Sequence, residues 1–195
     1  MNQYVFGIPK KQFSLLQAVS QKIWNKEKTV ENDNKKKIYL LLDTSSSMIG
    51  EPIEAVKQSI KVMIAEWQEV KANTEISVIV YGSIARECVR NMPLQQFSLP
   101  HLILGGLSFF EKACHLLYQC LEKEKQTNEV LVFLFTDGNI TKNNIINIQQ
   151  NDILKKVTWI VCGAGAEADV SIFEEMTKHI LILNTLTYGE FQRFL

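Results

Sequence analysis

Three oxygen-bearing side chains alternate in the segment that follows the first strongly apolar run of the chain. Asp43, Ser45 and Ser47 come directly after the run at 38–42 and offer one carboxylate and two hydroxyls at every second position. A loop of alternating oxygen ligands is one way in which a chain wraps a hard divalent cation. Oxygen ligands without imidazole or thiolate favour Mg²⁺, with Mn²⁺ and Ca²⁺ as the alternatives.

A second carboxylate follows another apolar run. Asp137 lies in the sequence Thr-Asp-Gly directly after residues 130–135. In an open α/β sheet, ligands bind outside the carboxyl ends of the strands. Asp137 would therefore reach the same sheet edge as Asp43 if the two strands are neighbours.

The serine-rich turn also has a simpler interpretation. Ser47 could cap the N-terminus of the next helix, with Pro52 near its first turn and with Glu51 and Glu54 complementing the helix dipole. The matching aspartate after another strand shifts the balance towards the metal site.

Strand-like apolar runs alternate along the chain with longer segments of helical period. Strands are predicted at 38–42, 76–81, 130–135, 157–161 and 180–183, with an antiparallel edge strand at 86–92. Helices are predicted at 53–70, 109–121, 143–154 and, in shorter form, 170–176. This alternation predicts a doubly wound, mostly parallel α/β sheet with helices on both faces.

The formal net charge of zero conceals an uneven distribution. Residues 1–37 carry eight lysines and three acidic residues, a net +5, so the remainder, with 13 basic and 18 acidic residues, carries −5. Apolar residues at three- and four-residue spacing predict a helix at 13–24, and a polar linker follows. We therefore expect a basic, partly helical leader at 1–35 and one domain at 36–195.

Several function classes lack support in the sequence. No apolar run approaches the about 20 residues that cross a bilayer, and no export signal is visible, so a cytoplasmic protein with reduced cysteines is expected. Aromatic and basic residues do not interleave as a nucleic-acid platform would require. We expect neither a specific nucleic acid nor a membrane as the partner.

Catalysis also has little support. No nucleophile elbow surrounds the serines at 45–47, no phosphate-binding glycine loop occurs, and the three histidines show no triad signature. A non-catalytic protein is therefore expected. The alternative from another class is a divalent-metal-dependent hydrolase that uses Asp43 and Asp137 as ligands and metal-bound water as nucleophile.

Two segments together resemble the von Willebrand factor type A (VWA) domain. They are LLLDTSSSM at 40–48 and FTDG at 135–138. The helix start GEPIEAV at 50–56 and the stretches at 162–169 and 181–185 look similar to the bacterial tellurite-resistance TerY-like group. The resemblance covers about residues 36–195, and it implies a VWA fold.

The resemblance further implies a metal-ion-dependent adhesion site. Ser45 and Ser47 would coordinate the ion through their hydroxyls, and Asp43 and Asp137 would coordinate it directly or through water. An open coordination position would then accept an acidic side chain from a protein partner.

The second loop departs from the family pattern. The family has a threonine in a G-G-T-x-L sequence, whereas this chain reads GGLSF at 105–109, which puts Leu107 in the threonine position. Ser108 could supply the missing hydroxyl if the backbone shifts by one residue, or it could cap the next helix. On this alignment we expect weakened metal affinity, and Leu107→Thr should raise it.

The resemblance implies a cytoplasmic interaction module that binds its protein partner through Mg²⁺, in a bacterial stress-response or tellurite-resistance system. A second interpretation within the binding proteins is a degenerate domain without metal. Its partner would dock on the helical leader.

Overall fold

The computed structural model describes residues 4–5, 8–9, 36–70, 73–124 and 130–183. Near the N-terminus, two short strands pair antiparallel: β1 (Tyr4–Val5) and β2 (Ile8–Pro9). The predicted helix at 13–24 and the linker after it lie outside the described residues.

A six-stranded sheet forms the centre of the domain, in the spatial order β5-β4-β3-β6-β7-β8. All neighbouring strands run parallel except the antiparallel pair β4 and β5, so the predicted mostly parallel sheet and its antiparallel edge strand are confirmed. The strands are β3 (Lys36–Asp43), β4 (Thr74–Tyr81), β5 (Ala85–Pro93), β6 (Val130–Thr136), β7 (Thr158–Ala164) and β8 (Ile180–Leu183).

Helices cover both faces of this sheet, as predicted. Helix α1 packs over an apolar core on one face of the sheet. Helices α2 and α3 pack over a second apolar core on the other face. The helices are α1 (Glu51–Val70), α2 (Phe110–Glu122) and α3 (Lys142–Gln150), with short 3₁₀ helices at Ser46–Met48, Leu94–Gln96, Leu154–Lys156 and Ser171–Glu175. No helix in the described part of the chain is long and apolar enough to cross a membrane.

The central strand β3 shows why the strand runs are continuously apolar. Successive side chains of a strand point to opposite faces. Leu40 and Leu42 accordingly pack in the core under α1, while Tyr39 and Leu41 pack in the core under α2 and α3. Both faces are buried, so neither set of alternating positions is polar.

Two predicted helices differ from those observed. Helix α3 ends at Gln150 rather than at Leu154, because Asn151 has an extended backbone and its Oδ1 accepts hydrogen bonds from the N–H groups of Ile153 and Leu154. The segment predicted as a short helix at 170–176 is a 3₁₀ helix.

Parallel pairing brings the carboxyl ends of the central strands to one edge. The register pairs Leu42 of β3 with Phe135 of β6, and it pairs Asp43 with Tyr81 of β4. Strands β3 and β6 are therefore neighbours, as the predicted placement of Asp137 at the same sheet edge as Asp43 requires.

Candidate metal centre

Asp43 ends strand β3 and is completely buried. Its Oδ1 accepts a hydrogen bond from the backbone N–H of Ser45 at 2.9 Å. Its Oδ2 accepts hydrogen bonds from the hydroxyl of Ser108 at 2.9 Å and from that of Thr136 at 3.4 Å. These bonds fix the orientation of the carboxylate at the sheet edge.

The electrostatic surroundings of Asp43 favour a nearby cation. Burial raises the pKa of Asp43 above its usual value, hydrogen bonds from Ser45 and Ser108 oppose that shift, and the charge of Asp137 adds to it. Among the described residues, no lysine, arginine or histidine forms an ion pair with Asp43 or Asp137. A buried carboxylate without a cationic partner is costly, and a bound divalent ion would relieve that cost.

The two alternating serines bring their hydroxyls together above Asp43. Ser45 Oγ and Ser47 Oγ are 3.1 Å apart. Ser47 does not cap helix α1, because α1 begins at Glu51 and its first turn bonds to the carbonyl of Gly50. Ser45 makes no capping hydrogen bond either, so neither hydroxyl is committed to a helix N-terminus.

The second loop presents Ser108, and not Leu107, to the site. Ser108 donates its hydrogen bond to Asp43, whereas 65% of Leu107 is exposed. Phe109 occupies the N-cap position of α2 and no side chain caps that helix. The Ser108 hydroxyl therefore lies against Asp43 and does not cap helix α2, while its role as a metal ligand stays a prediction.

Backbone hydrogen bonds hold this second loop against the first. Ser46 donates from both its N–H and its hydroxyl to the carbonyl of Gly106, at 3.0 and 2.9 Å. The N–H of Gly105 donates to the carbonyl of Thr44 at 2.8 Å. Gly106 has φ of +80°, which favours glycine, and a Cβ there would lie 2.3 Å from Ser83 Oγ in the turn between β4 and β5.

Asp137 lies in the third loop of the site, directly after β6, and is half-buried. Its backbone carbonyl accepts a hydrogen bond from the N–H of Asp169 at 3.2 Å, which ties this loop to the loop after β7. The next residue, Gly138, has φ of +101°, and a Cβ would lie 1.9 Å from the carbonyl oxygen of Asp169. The loop therefore packs too closely for any side chain at that position.

Two buried residues beneath the site have no role in the sequence-based prediction. Thr136 hydrogen-bonds to Asp43 and also accepts from the N–H of Gly138 at 3.1 Å, and its place in the Thr-Asp-Gly motif is the signal that could have identified it. Tyr81 has a buried hydroxyl with no hydrogen-bond partner among the described residues. Burial and the nearby Asp43 carboxylate raise the pKa of Tyr81 well above its ordinary value.

The donor set fits a hard divalent ion. Oxygen atoms at adjacent corners of an octahedron around Mg²⁺ lie about 3 Å apart, since Mg–O bonds are about 2.1 Å. The Ser45–Ser47 and Ser108–Asp43 oxygen pairs, at 3.1 and 2.9 Å, have this spacing. The described residues contain no group of three or more His, Cys, Asp or Glu side chains suited to a metal, so binding here would depend on two carboxylates with three hydroxyls.

This fold, with oxygen-bearing side chains at the carboxyl edge of its sheet, defines a class of α/β domain. The von Willebrand factor type A domain matches residues 37–180, and the chain therefore belongs to that family. VWA domains are commonly protein-interaction modules, and they commonly bind a divalent metal. Comparison with curated protein sequences gives no match.

Solved structures share the fold at low sequence identity. The manganese-loaded TRAP protein of Plasmodium vivax matches with a TM-score of 0.62 and 18% identity, over 78% of this chain and 69% of that one. The ArnB paralog VWA2 of Sulfolobus acidocaldarius matches with a TM-score of 0.58 and 19% identity, over 77% of this chain and 42% of that one. This chain therefore corresponds to less than half of the Sulfolobus protein.

Proposed function

We propose that the protein is a non-catalytic interaction module that binds a protein partner through a divalent ion, most favourably Mg²⁺. Asp43, Ser45, Ser47 and Ser108 would hold the ion, and Asp137 would complete the set directly or through water. When bound, the ion supplies an open coordination position for an acidic oxygen of the partner. Mn²⁺ and Ca²⁺ are the alternative ions.

The arrangement of Asp43 carries this proposal. Its carboxylate is buried without a basic partner among the described residues, and it lies next to hydroxyl oxygens at ligand spacing. The manganese in the Plasmodium vivax TRAP structure supports the proposal, because that protein has the same fold.

Access from solvent also supports a binding role. Ser47 is exposed, and Ser108 and Asp137 are half-buried, while Asp43 and Ser45 are buried beneath them. The candidate oxygens therefore form a site that is closed towards the core of the domain and open to solvent. An acidic side chain on another protein could reach the ion from the open side.

Calorimetric titration with Mg²⁺ tests the proposal. The native protein should give heat of binding that disappears in Asp43→Asn, because the carboxylate charge is lost while the side-chain shape is kept. Asp152→Asn is the matched control, since Asp152 pairs with Lys155 at the surface and should not affect binding. Absence of binding at millimolar Mg²⁺ in the native protein would favour a degenerate, metal-free domain.

The hydrolase alternative needs its own assay. On the proposed function, we expect no turnover of phosphate esters when Mg²⁺ or Mn²⁺ is added. Turnover that Asp137→Asn abolishes would overturn the non-catalytic assignment.

The cellular role is proposed on the resemblance alone. The GEPIEAV helix start at 50–56 supports membership of the TerY-like group, and with it a cytoplasmic role in a bacterial tellurite-resistance or stress response. Deleting the gene in its host should lower tellurite tolerance, and the native sequence should restore tolerance where Asp43→Asn does not. Unchanged tolerance after deletion would remove this assignment.

A further inference from the structure

Exposed apolar side chains concentrate on the loops around the candidate metal centre. Five large apolar residues are exposed among the described residues, and four of them lie on the first and second loops of the site and on the turn between β4 and β5. We define these four as the apolar rim: Ile49, Ile84, Ile103 and Leu107, exposed by 59%, 68%, 70% and 65%. Scattered single apolar residues are normal at a surface, but a group around one site indicates an interaction surface.

Hydrogen bonds join the loops that carry the rim. The N–H of Leu107 donates to Ser83 Oγ at 3.0 Å, which links the second loop to the turn that carries Ile84. Ser46 is bonded to the carbonyl of Gly106, which links the second loop to the loop that carries Ile49. The rim residues are therefore presented on one connected framework next to Asp43 and Ser108.

Charged side chains are missing from the same loops. Residues 44–50, 82–84 and 98–109 contain no aspartate, glutamate, lysine or arginine. Lys112, from the first turn of α2, reaches this area, but its Nζ is bonded to the carbonyl of Ser83 at 2.6 Å and lies 4.3 Å from the centre of the Phe109 ring. On the side of the first and second loops and of the β4–β5 turn, the metal centre therefore has an apolar border rather than a basic one.

From this arrangement we infer that the partner presents an acidic residue flanked by apolar side chains. The carboxylate would occupy the open position of the ion, and the flanking side chains would pack on Ile84, Ile103, Leu107 and Ile49. This inference rests on the proposed metal-dependent function and specifies its ligand. In this arrangement Leu107, whose side chain supplies no oxygen to the ion, would contact the apolar side chains of the partner.

Short peptides test the inference directly. The probe is an acetylated and amidated pentapeptide, Gly-Leu-Glu-Leu-Gly, titrated into the full chain with saturating Mg²⁺ and followed by NMR. We expect it to bind at least about tenfold more tightly than Gly-Ser-Glu-Ser-Gly, because two leucine side chains lose contact with water. Gly-Leu-Gln-Leu-Gly, which has no carboxylate, should not bind.

Rim variants locate the effect on this chain. Leu107→Ser and Ile84→Ser should each weaken binding of the leucine-flanked peptide by about fivefold while the Mg²⁺ affinity stays unchanged. Ile146→Ser is the control, since Ile146 is the exposed apolar residue on helix α3, outside these loops, and its replacement should change neither affinity.

The possible outcomes distinguish failure of this inference from failure of the proposed metal-dependent function. If the native protein does not bind Mg²⁺, the proposed function fails and the inference fails with it. If Mg²⁺ binds but the leucine- and serine-flanked peptides bind equally, or none binds, only the inference is overturned. Equal binding with and without Mg²⁺, or of the glutamine peptide, would also overturn it, because the rim would then act apart from the ion.

Discussion

The hydroxyl of Ser108 donates a hydrogen bond to Oδ2 of Asp43 across 2.9 Å, joining two residues that are 65 positions apart in the sequence. This contact closes the candidate metal centre between the first and the second loop. It places beside Asp43 a hydroxyl oxygen, which the side chain of Leu107, in the family's threonine position, lacks.

Replacing Ser108 should therefore weaken metal binding. Ser108→Ala removes one donor oxygen and the hydrogen bond that orients Asp43, so we expect the Mg²⁺ affinity to fall by about tenfold or more. Calorimetric titration measures the change.

Leu107→Thr is the companion variant for the same loop. The sequence alignment predicts that it raises the Mg²⁺ affinity, whereas the exposed position of Leu107 in the structure predicts no change. A native-like Ser108→Ala, or a tighter Leu107→Thr, would contradict the placement of this loop.

Neutralising Asp43 should stabilise the protein in the absence of metal. The raised pKa of Asp43 means that folding disfavours its charged form, so at neutral pH the ionised carboxylate lowers the free energy of unfolding. Asparagine keeps an oxygen for the N–H of Ser45, and the hydroxyl of Ser108 can rotate to accept a hydrogen bond. We expect the melting temperature of metal-free Asp43→Asn to rise by about 2 °C or more.

The same melting experiment has two further readouts. Mg²⁺ should stabilise the native protein but not Asp43→Asn, because only the native site binds the ion. Asp152→Asn should show no gain without metal, since pairing with Lys155 lowers the pKa of Asp152. A lower melting temperature for metal-free Asp43→Asn would show that the carboxylate is already satisfied without an ion.

Gly138 should tolerate a side chain far less well than Gly50. Both have positive φ, +101° and +93°, which costs about 1–2 kcal/mol for alanine. Only at Gly138 would the Cβ also collide with the carbonyl of Asp169, whereas nothing lies within 4 Å at Gly50. We expect Gly138→Ala to cost at least about 1 kcal/mol more than Gly50→Ala in urea unfolding. Equal costs would mean that the two loops separate easily.

The buried hydroxyl of Tyr81 should contribute little to stability. It has no hydrogen-bond partner among the described residues, so Tyr81→Phe removes a desolvated polar group at no loss of bonding. We expect the free energy of unfolding to change by less than about 0.5 kcal/mol or to increase. Tyr39→Phe is the contrast, because the Tyr39 hydroxyl donates to Glu124 at 3.0 Å, and its loss should cost about 1 kcal/mol. A larger loss in Tyr81→Phe would indicate a bond from that hydroxyl to a bound water or ion.

Most of the fold follows from hydrophobic periodicity. Strands β3 and β6 are buried on both faces, so their runs are continuously apolar and easy to recognise. The end of α3 was harder to predict, because it depends on the side chain of Asn151 accepting two backbone bonds rather than on any pattern of apolar residues. Such local competition is not visible in periodicity.

The candidate site was only partly predictable for a similar reason. The alternation of Asp43, Ser45 and Ser47 and the aspartate after β6 could be found from residue types at strand ends. The choice between Leu107 and Ser108 depends on the backbone path of a glycine-rich loop, and residue types do not determine that path. Tyr81 gave no signal, since an aromatic residue at the end of a buried strand reads as ordinary core.

Anomalous X-ray scattering from crystals grown with Mn²⁺ would locate a bound ion directly. We expect one strong peak at the carboxyl edge of the sheet, within coordination distance of Asp43, Ser45, Ser47 and Ser108, and no such peak in Asp43→Asn. Crystals grown at millimolar Mn²⁺ with no peak at that edge, or with the ion bound elsewhere, would contradict the proposed metal centre.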